Sequence, residues 1–130
     1  MYRILLIDDE TVFTDYLKGY VARQYPRISM SVCNEPLKAL RLLQQNSYDL
    51  VLIDVEMPVI DGRKLLHFSQ QAGVERSRIV MLSGHTADYL HEICPAGSCL
   101  AVLNKFETRQ REVLDMIFRS LSSKAEKVAP

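Results

Sequence analysis

The chain has 130 residues, enough for one domain with a full core. Hydrophobic residues make up 48% and charged residues 25%, and 16 Lys and Arg balance 16 Asp and Glu to a formal net charge of zero, so the basic footprint of a nucleic-acid binder is not there. No apolar run approaches the roughly 18 residues of a membrane span, and the first residues enter a strand pattern directly rather than a secretory leader; a cytoplasmic protein with Cys33, Cys94 and Cys99 as reduced thiols is expected, with no membrane partner.

Strand and helix patterns alternate along the chain, which argues an α/β fold around a parallel sheet. A first strand is expected over residues 3–8. A helix over 11–24 follows, with Val12, Phe13, Tyr16, Leu17, Tyr20 and Val21 on one apolar stripe read as core. A strand over 28–32 leads to a helix that opens at Pro36, a residue suited to a first helical turn, and carries Leu37, Leu40 and Leu43. The continuous apolar run Leu50-Val51-Leu52-Ile53 reads as a buried parallel strand. A helix over 63–71 stops before Gly73. A strand over 79–82 runs into Ser83. A short helix over 87–93 is cut by Pro95 and Gly97. A strand over 100–103 and a helix over 108–121 complete the domain, 1–122, and leave 123–130 as a flexible tail.

Four of these strands end in reactive side chains. The first ends in Asp8-Asp9-Glu10, the third in Asp54, the fourth in Ser83 and the fifth in Asn104-Lys105. Functional groups of an open parallel sheet gather at the carboxyl ends of its strands, so these ends converge on one crevice. Taken singly, each residue is an ordinary turn, cap or solvated side chain. Taken in order, with Met57-Pro58 and Asp61-Gly62 after Asp54, they resemble the receiver domain of two-component response regulators over almost the whole chain.

The resemblance implies a doubly wound five-stranded parallel sheet of order 2-1-3-4-5, a flavodoxin-like three-layer sandwich; a chemotaxis member of this family is itself the standard example of that order. It implies Asp54 as phosphoacceptor and Mg²⁺ as the cation, held by Asp9, Asp54 and the backbone carbonyl of Glu56, with Asp8 acting through a water. It implies Ser83 and Lys105 as groups that meet the phosphoryl oxygens. A histidine kinase or phosphotransfer protein would be the donor and an unknown protein the downstream partner. The chain would be a phosphoacceptor with slow self-dephosphorylation rather than an enzyme; the other reading is a receiver-fold interaction module that phosphate does not switch. Three positions depart from the family pattern. Phe106 follows the lysine where a cis Pro is usual, Val102 stands where a switch aromatic is usual, and Gly97-Ser98-Cys99 replaces the usual small pair before strand five. Glu56 and His85, two residues after Asp54 and Ser83, are expected to pair across the crevice mouth.

Overall fold

The computed structural model describes residues 1–58, 60–84 and 97–128, with side chains to Ser123. The helix expected over 87–93, and with it His85, His91 and Cys94, lies outside the described residues. Five strands, β1 (Tyr2–Ile7), β2 (Ile28–Cys33), β3 (Leu50–Asp54), β4 (Ile79–Ser83) and β5 (Ala101–Asn104), form one sheet of order β2-β1-β3-β4-β5. All its pairings are parallel. The register sets Ile7 beside Ile53, Asp54 beside Leu82 and Ser83 beside Asn104, so the strands finish at one level.

Successive side chains of a strand point to opposite faces, and both faces of this sheet are covered. Leu5, Ile7, Val51, Ile53, Ile79 and Met81 pack against α2 (Pro36–Gln45) and α3 (Gly62–Gln71). Ile4, Leu6, Leu50, Leu52, Val80 and Leu82 pack against α1 (Thr11–Gln24) and the C-terminal helix (Thr108–Val128). This double covering explains why the strands read as unbroken apolar runs. Each buried Leu or Ile contributes about 1.5–3 kcal/mol relative to leaving it exposed, so the central strands dominate the stability.

Several expectations shift by a turn or a face. The stripe on α1 was expected to be core throughout, but only Leu17 and Val21, with Thr14, are buried. Phe13 and Tyr20 are partly buried, Tyr16 is 47% exposed and Val12 84%. The helix touches the sheet along a narrow line, and Tyr16 instead stacks on Tyr20 at 6.3 Å with the Arg111 guanidinium 4.9 Å from its ring centre. Leu37 faces outward for the same reason, and Ala39 takes the buried place on α2. Leu100 precedes β5 rather than opening it and is 46% exposed. A short 3-10 turn, Arg76–Arg78, leads into β4 and was not foreseen. The last helix runs to Val128 rather than stopping at Leu121; beyond the apolar stripe it meets Lys, Ala and Glu, good helix formers, and no Pro or Gly until Pro130.

The two helices on the Leu6 side are joined by a polar staple. Asp115 accepts hydrogen bonds from the Tyr20 hydroxyl at 2.6 Å and the Tyr25 hydroxyl at 2.9 Å. The Tyr20 phenol is pushed up to about 12, first by this bond and then by burial. Asp115→Ala removes the carboxylate that both phenols share, though the Tyr25 hydroxyl keeps the Asp115 carbonyl at 3.4 Å, and is expected to lower stability by about 1–2 kcal/mol in a urea melt. A midpoint equal to the parent's would show that water replaces the staple at no cost.

Candidate functional site

The crevice is assembled from the ends of β1, β3, β4 and β5. Asp8 follows β1 and is fully buried. Its backbone is held by Cys33, whose carbonyl accepts from the Asp8 N–H at 3.1 Å, and by Asn34, whose side chain donates to the Asp8 carbonyl at 2.9 Å and to Thr14 Oγ1 at 3.1 Å. The Glu10 N–H donates to Asp8 Oδ1 at 2.9 Å, an Asx turn that carries the chain from strand to helix. Asp54 ends β3 with 1% exposure, and the Glu56 N–H donates to its Oδ1 at 3.0 Å. Glu56 pairs in an isolated antiparallel bridge with Asp61, which caps α3 by accepting from the Arg63 N–H at 2.8 Å.

Lys105 enters from β5. Its N–H donates to the Ser83 carbonyl at 2.8 Å, continuing the β4–β5 ladder, and its side chain is buried. The ammonium lies 2.7 Å from Asp8 Oδ2, 3.0 Å from Glu10 Oε1 and 3.3 Å from Asp54 Oδ2. The Phe13 ring lies below it, 5.0 Å from nitrogen to centroid. Asn104 turns the chain into the last helix, its side-chain oxygen accepting from the N–H groups of Phe106 at 2.8 Å and Glu107 at 3.2 Å.

Charge is unbalanced here. Among the described residues, Asp8, Glu10 and Asp54 each offer a carboxylate oxygen, all within 4.8 Å of one another, around a single ammonium. Two like charges at that separation repel by roughly 3–4 kcal/mol at an effective dielectric of 20. Burial, followed by the neighbouring Asp8, pushes the Asp54 carboxyl up to about 7, against the opposing pull of the Glu56 N–H and Lys105. Burial acts to lower the Lys105 ammonium, but Asp8, Asp54 and Glu10 outweigh it and hold it above its ordinary value. Among the described residues, Oδ2 of Asp8 and Oδ2 of Asp54 are buried with no directed hydrogen bond, only their ion pairs with Lys105. Buried, under-satisfied carboxylate oxygens beside an excess of negative charge fit a hard cation, so this cluster could hold a metal ion.

The structure thus brings together Asp8, Asp54 and Lys105, as their strand ends foretold. It adds Glu10, which the sequence reading passed over; the available signal was its place directly after the acidic pair. Asp9 is half-buried and is not among the three clustered carboxylates. Ser83 is fully buried, and its hydroxyl donates to Glu56 Oε1, as does the Gly84 N–H at 3.2 Å. The expected partner of Glu56, His85, lies outside the described residues. The Lys105–Phe106 peptide is trans, and Phe106 is 65% exposed with its ring against Gly84. Val102 is half-buried and, like Cys99, packs against the core on the α2–α3 side of the sheet. Cys33 and Cys99 are both free thiols. Among the described residues no helix is long and apolar enough to cross a membrane.

This fold and site have counterparts. The family model for the response regulator receiver domain matches residues 4–118. The two-component response regulator ARR12 of Arabidopsis thaliana is 33% identical over 101 residues, covering 75% of this chain and 16% of the relative. ARR18 of the same plant is 36% identical over 89 residues, covering 67% and 13%. This chain therefore spans a small fraction of these relatives' length. Among solved structures, the Francisella response regulator 1452 receiver domain has a TM-score of 0.77 at 22% identity, covering 96% of this chain and 99% of that one. A CheY-like receiver domain from Methanospirillum hungatei has a TM-score of 0.77 at 19% identity, covering 98% of each chain. The likeness of these structures is one of fold, while the family match extends over the strand ends that carry the carboxylates and the lysine. The chain belongs to the receiver domain family of two-component response regulators.

Proposed function

We propose that Asp54 is the phosphoacceptor of this receiver and that Mg²⁺ is its cation. The observation that carries the reading is the buried Asp54 carboxylate at the end of β3, steadied through one oxygen by the Glu56 N–H and faced through the other by Lys105. A carboxylate so placed can attack phosphorus in line. A bond forms from Asp54 oxygen to phosphorus as the bond from phosphorus to the donor's imidazole nitrogen breaks, and the imidazole takes up a proton. Lys105 compensates charge on the transferred group as a point charge with three donors. Asp8, Asp9, Asp54 and the Glu56 carbonyl would hold Mg²⁺, which when bound neutralises charge on the phosphoryl oxygens. Glu10 competes for Lys105 and so leaves Asp8 and Asp54 less completely paired.

The donor would be a histidine kinase or phosphotransfer protein in the cytoplasm, and the output a change at a protein-binding face, with only slow self-dephosphorylation as catalysis. One relative, a protein-glutamate methylesterase/protein-glutamine glutaminase of Azospirillum brasilense, is 29% identical over 133 residues and covers 95% of this chain and 32% of its own length. The test is intact mass after acetyl phosphate and Mg²⁺, which should show a gain of one phosphoryl group. No gain with any small phosphodonor would sink the reading.

The cation set makes a separate prediction. Asp9→Asn should abolish the Mg²⁺-induced rise in melting temperature, whereas Glu10→Gln should preserve it. The opposite result would mean that the clustered Glu10 rather than Asp9 is the ligand.

A further inference from the structure

Two donors at the end of β4 converge on one atom. The Ser83 hydroxyl and the Gly84 N–H both donate to Oε1 of Glu56. A hydroxyl and a backbone N–H aimed at one point form a small anion site, of the kind that stabilises charge by prior orientation. Glu56 is also the residue whose own N–H steadies the Asp54 carboxylate, at 3.0 Å. Its backbone is pinned by the bridge to Asp61, so its side chain leaves from a fixed point beside the acceptor. The donors are fixed as well. Ser83 is buried, and the Phe106 ring backs Gly84 so closely that a Cβ there would lie 3.2 Å from Cε2. Glu56 itself is exposed, so its carboxylate can leave for water.

We propose that the Glu56 carboxylate is an internal competitor of the phosphoryl group: it fills the Ser83–Gly84 anion site in the resting protein and vacates it when Asp54 is phosphorylated. The inference rests on Asp54 being the acceptor. Asp54 is paired in the sheet with Leu82, the residue before Ser83, so an anion attached to Asp54 would compete for the same two donors, which a carboxylate and a phosphoryl oxygen cannot both occupy. The exchange breaks the hydrogen bonds of Glu56 to Ser83 and Gly84, hydrates its carboxylate and hands both donors to a phosphoryl oxygen. Glu56 is therefore a positioning residue that sets how readily the site accepts a phosphoryl group, in addition to the part that its main chain plays.

The probe is beryllofluoride, titrated by calorimetry at saturating Mg²⁺. Glu56→Ala should tighten its binding about tenfold, because the carboxylate that competes for both donors is gone. Glu56→Gln, which keeps an acceptor oxygen but no charge, should tighten it less. Both variants keep the Glu56 carbonyl. In a Ser83→Ala background the gain from Glu56→Ala should shrink to half or less, because one contested donor is gone. Without metal or beryllofluoride, hydrogen exchange at the Gly84 amide should be faster in Glu56→Ala than in the parent. If the parent binds beryllofluoride and the Glu56 variants bind it equally or more weakly, the competitor is overturned and the acceptor assignment stands. A gain undiminished in the Ser83→Ala background, or an unchanged Gly84 amide, overturns it too. If the parent binds no beryllofluoride, the acceptor assignment fails and the competitor with it.

Discussion

Asp54→Asn is expected to reduce phosphoryl incorporation from acetyl phosphate to background and to raise the melting temperature in Mg²⁺-free buffer. The amide keeps the shape of the side chain and can accept from the Glu56 N–H, but it has no nucleophilic oxygen. It also removes one of three carboxylates crowded around a single ammonium. Removing a buried charge, and with it the repulsion from Asp8, outweighs the lost pairing with Lys105, because burial and then Asp8 already hold the Asp54 carboxyl at about 7. The sign follows from proton linkage. Between pH 4 and 7 the folded state keeps a proton on Asp54 that the unfolded chain has released, so parental stability falls as pH rises through that window and levels off above it. Asn has no such slope, and its advantage should grow from nothing near pH 4 to its full size above pH 7. Each 1 kcal/mol of that gain corresponds to roughly 2–8 °C in a domain of this size. Persistent labelling would move the acceptor elsewhere. A melting temperature at pH 7.5 no higher than the parent's would mean that the Lys105 pairing dominates the repulsion.

Lys105→Met should have the opposite effect on stability and a similar one on chemistry. Methionine fills most of the volume above Phe13 but leaves Asp8 and Asp54 buried with no counter-charge. Removing one partner of a buried ion pair costs about 3–5 kcal/mol. That is a large share of the 5–15 kcal/mol or so that holds a typical domain folded. Urea melts in Mg²⁺-free buffer at pH 7.5 should show a lower midpoint with the slope unchanged. At pH 5 the loss should be smaller, because Asp54 retains its proton there. The double variant Lys105→Met/Asp54→Asn should recover part of the loss, a non-additivity expected of groups in contact. Additive effects would show that the ammonium acts on Asp8 and Glu10 and not on Asp54. Labelling of Lys105→Met should fall steeply, since no other cation in the described residues faces Asp54 from β5.

The order of elements, the parallel sheet and the convergence of Asp8, Asp54 and Lys105 at strand ends were all legible in the amino-acid sequence. The reason is local. A strand buried on both faces must be apolar throughout, so a polar residue marks where Leu50-Val51-Leu52-Ile53 leaves the sheet, and parallel strands leave at the same edge. Which face of an amphipathic helix meets that sheet was not local. Val12 and Leu37 satisfy a helical stripe, yet point outward, because the line of contact is decided by where α1 and α2 lie on the sheet. The same distinction separates Asp8 and Asp54 from Glu10. The strands set the first two directly, but Glu10 joins them only because the turn after Asp8 folds back toward the Lys105 ammonium, a group supplied from a distant part of the chain. Glu56 reaching Ser83 and Gly84 is likewise a contact between neighbouring strand ends. Periodicity and strand ends can be read from one segment at a time; the partners of a side chain depend on which segments the sheet sets side by side.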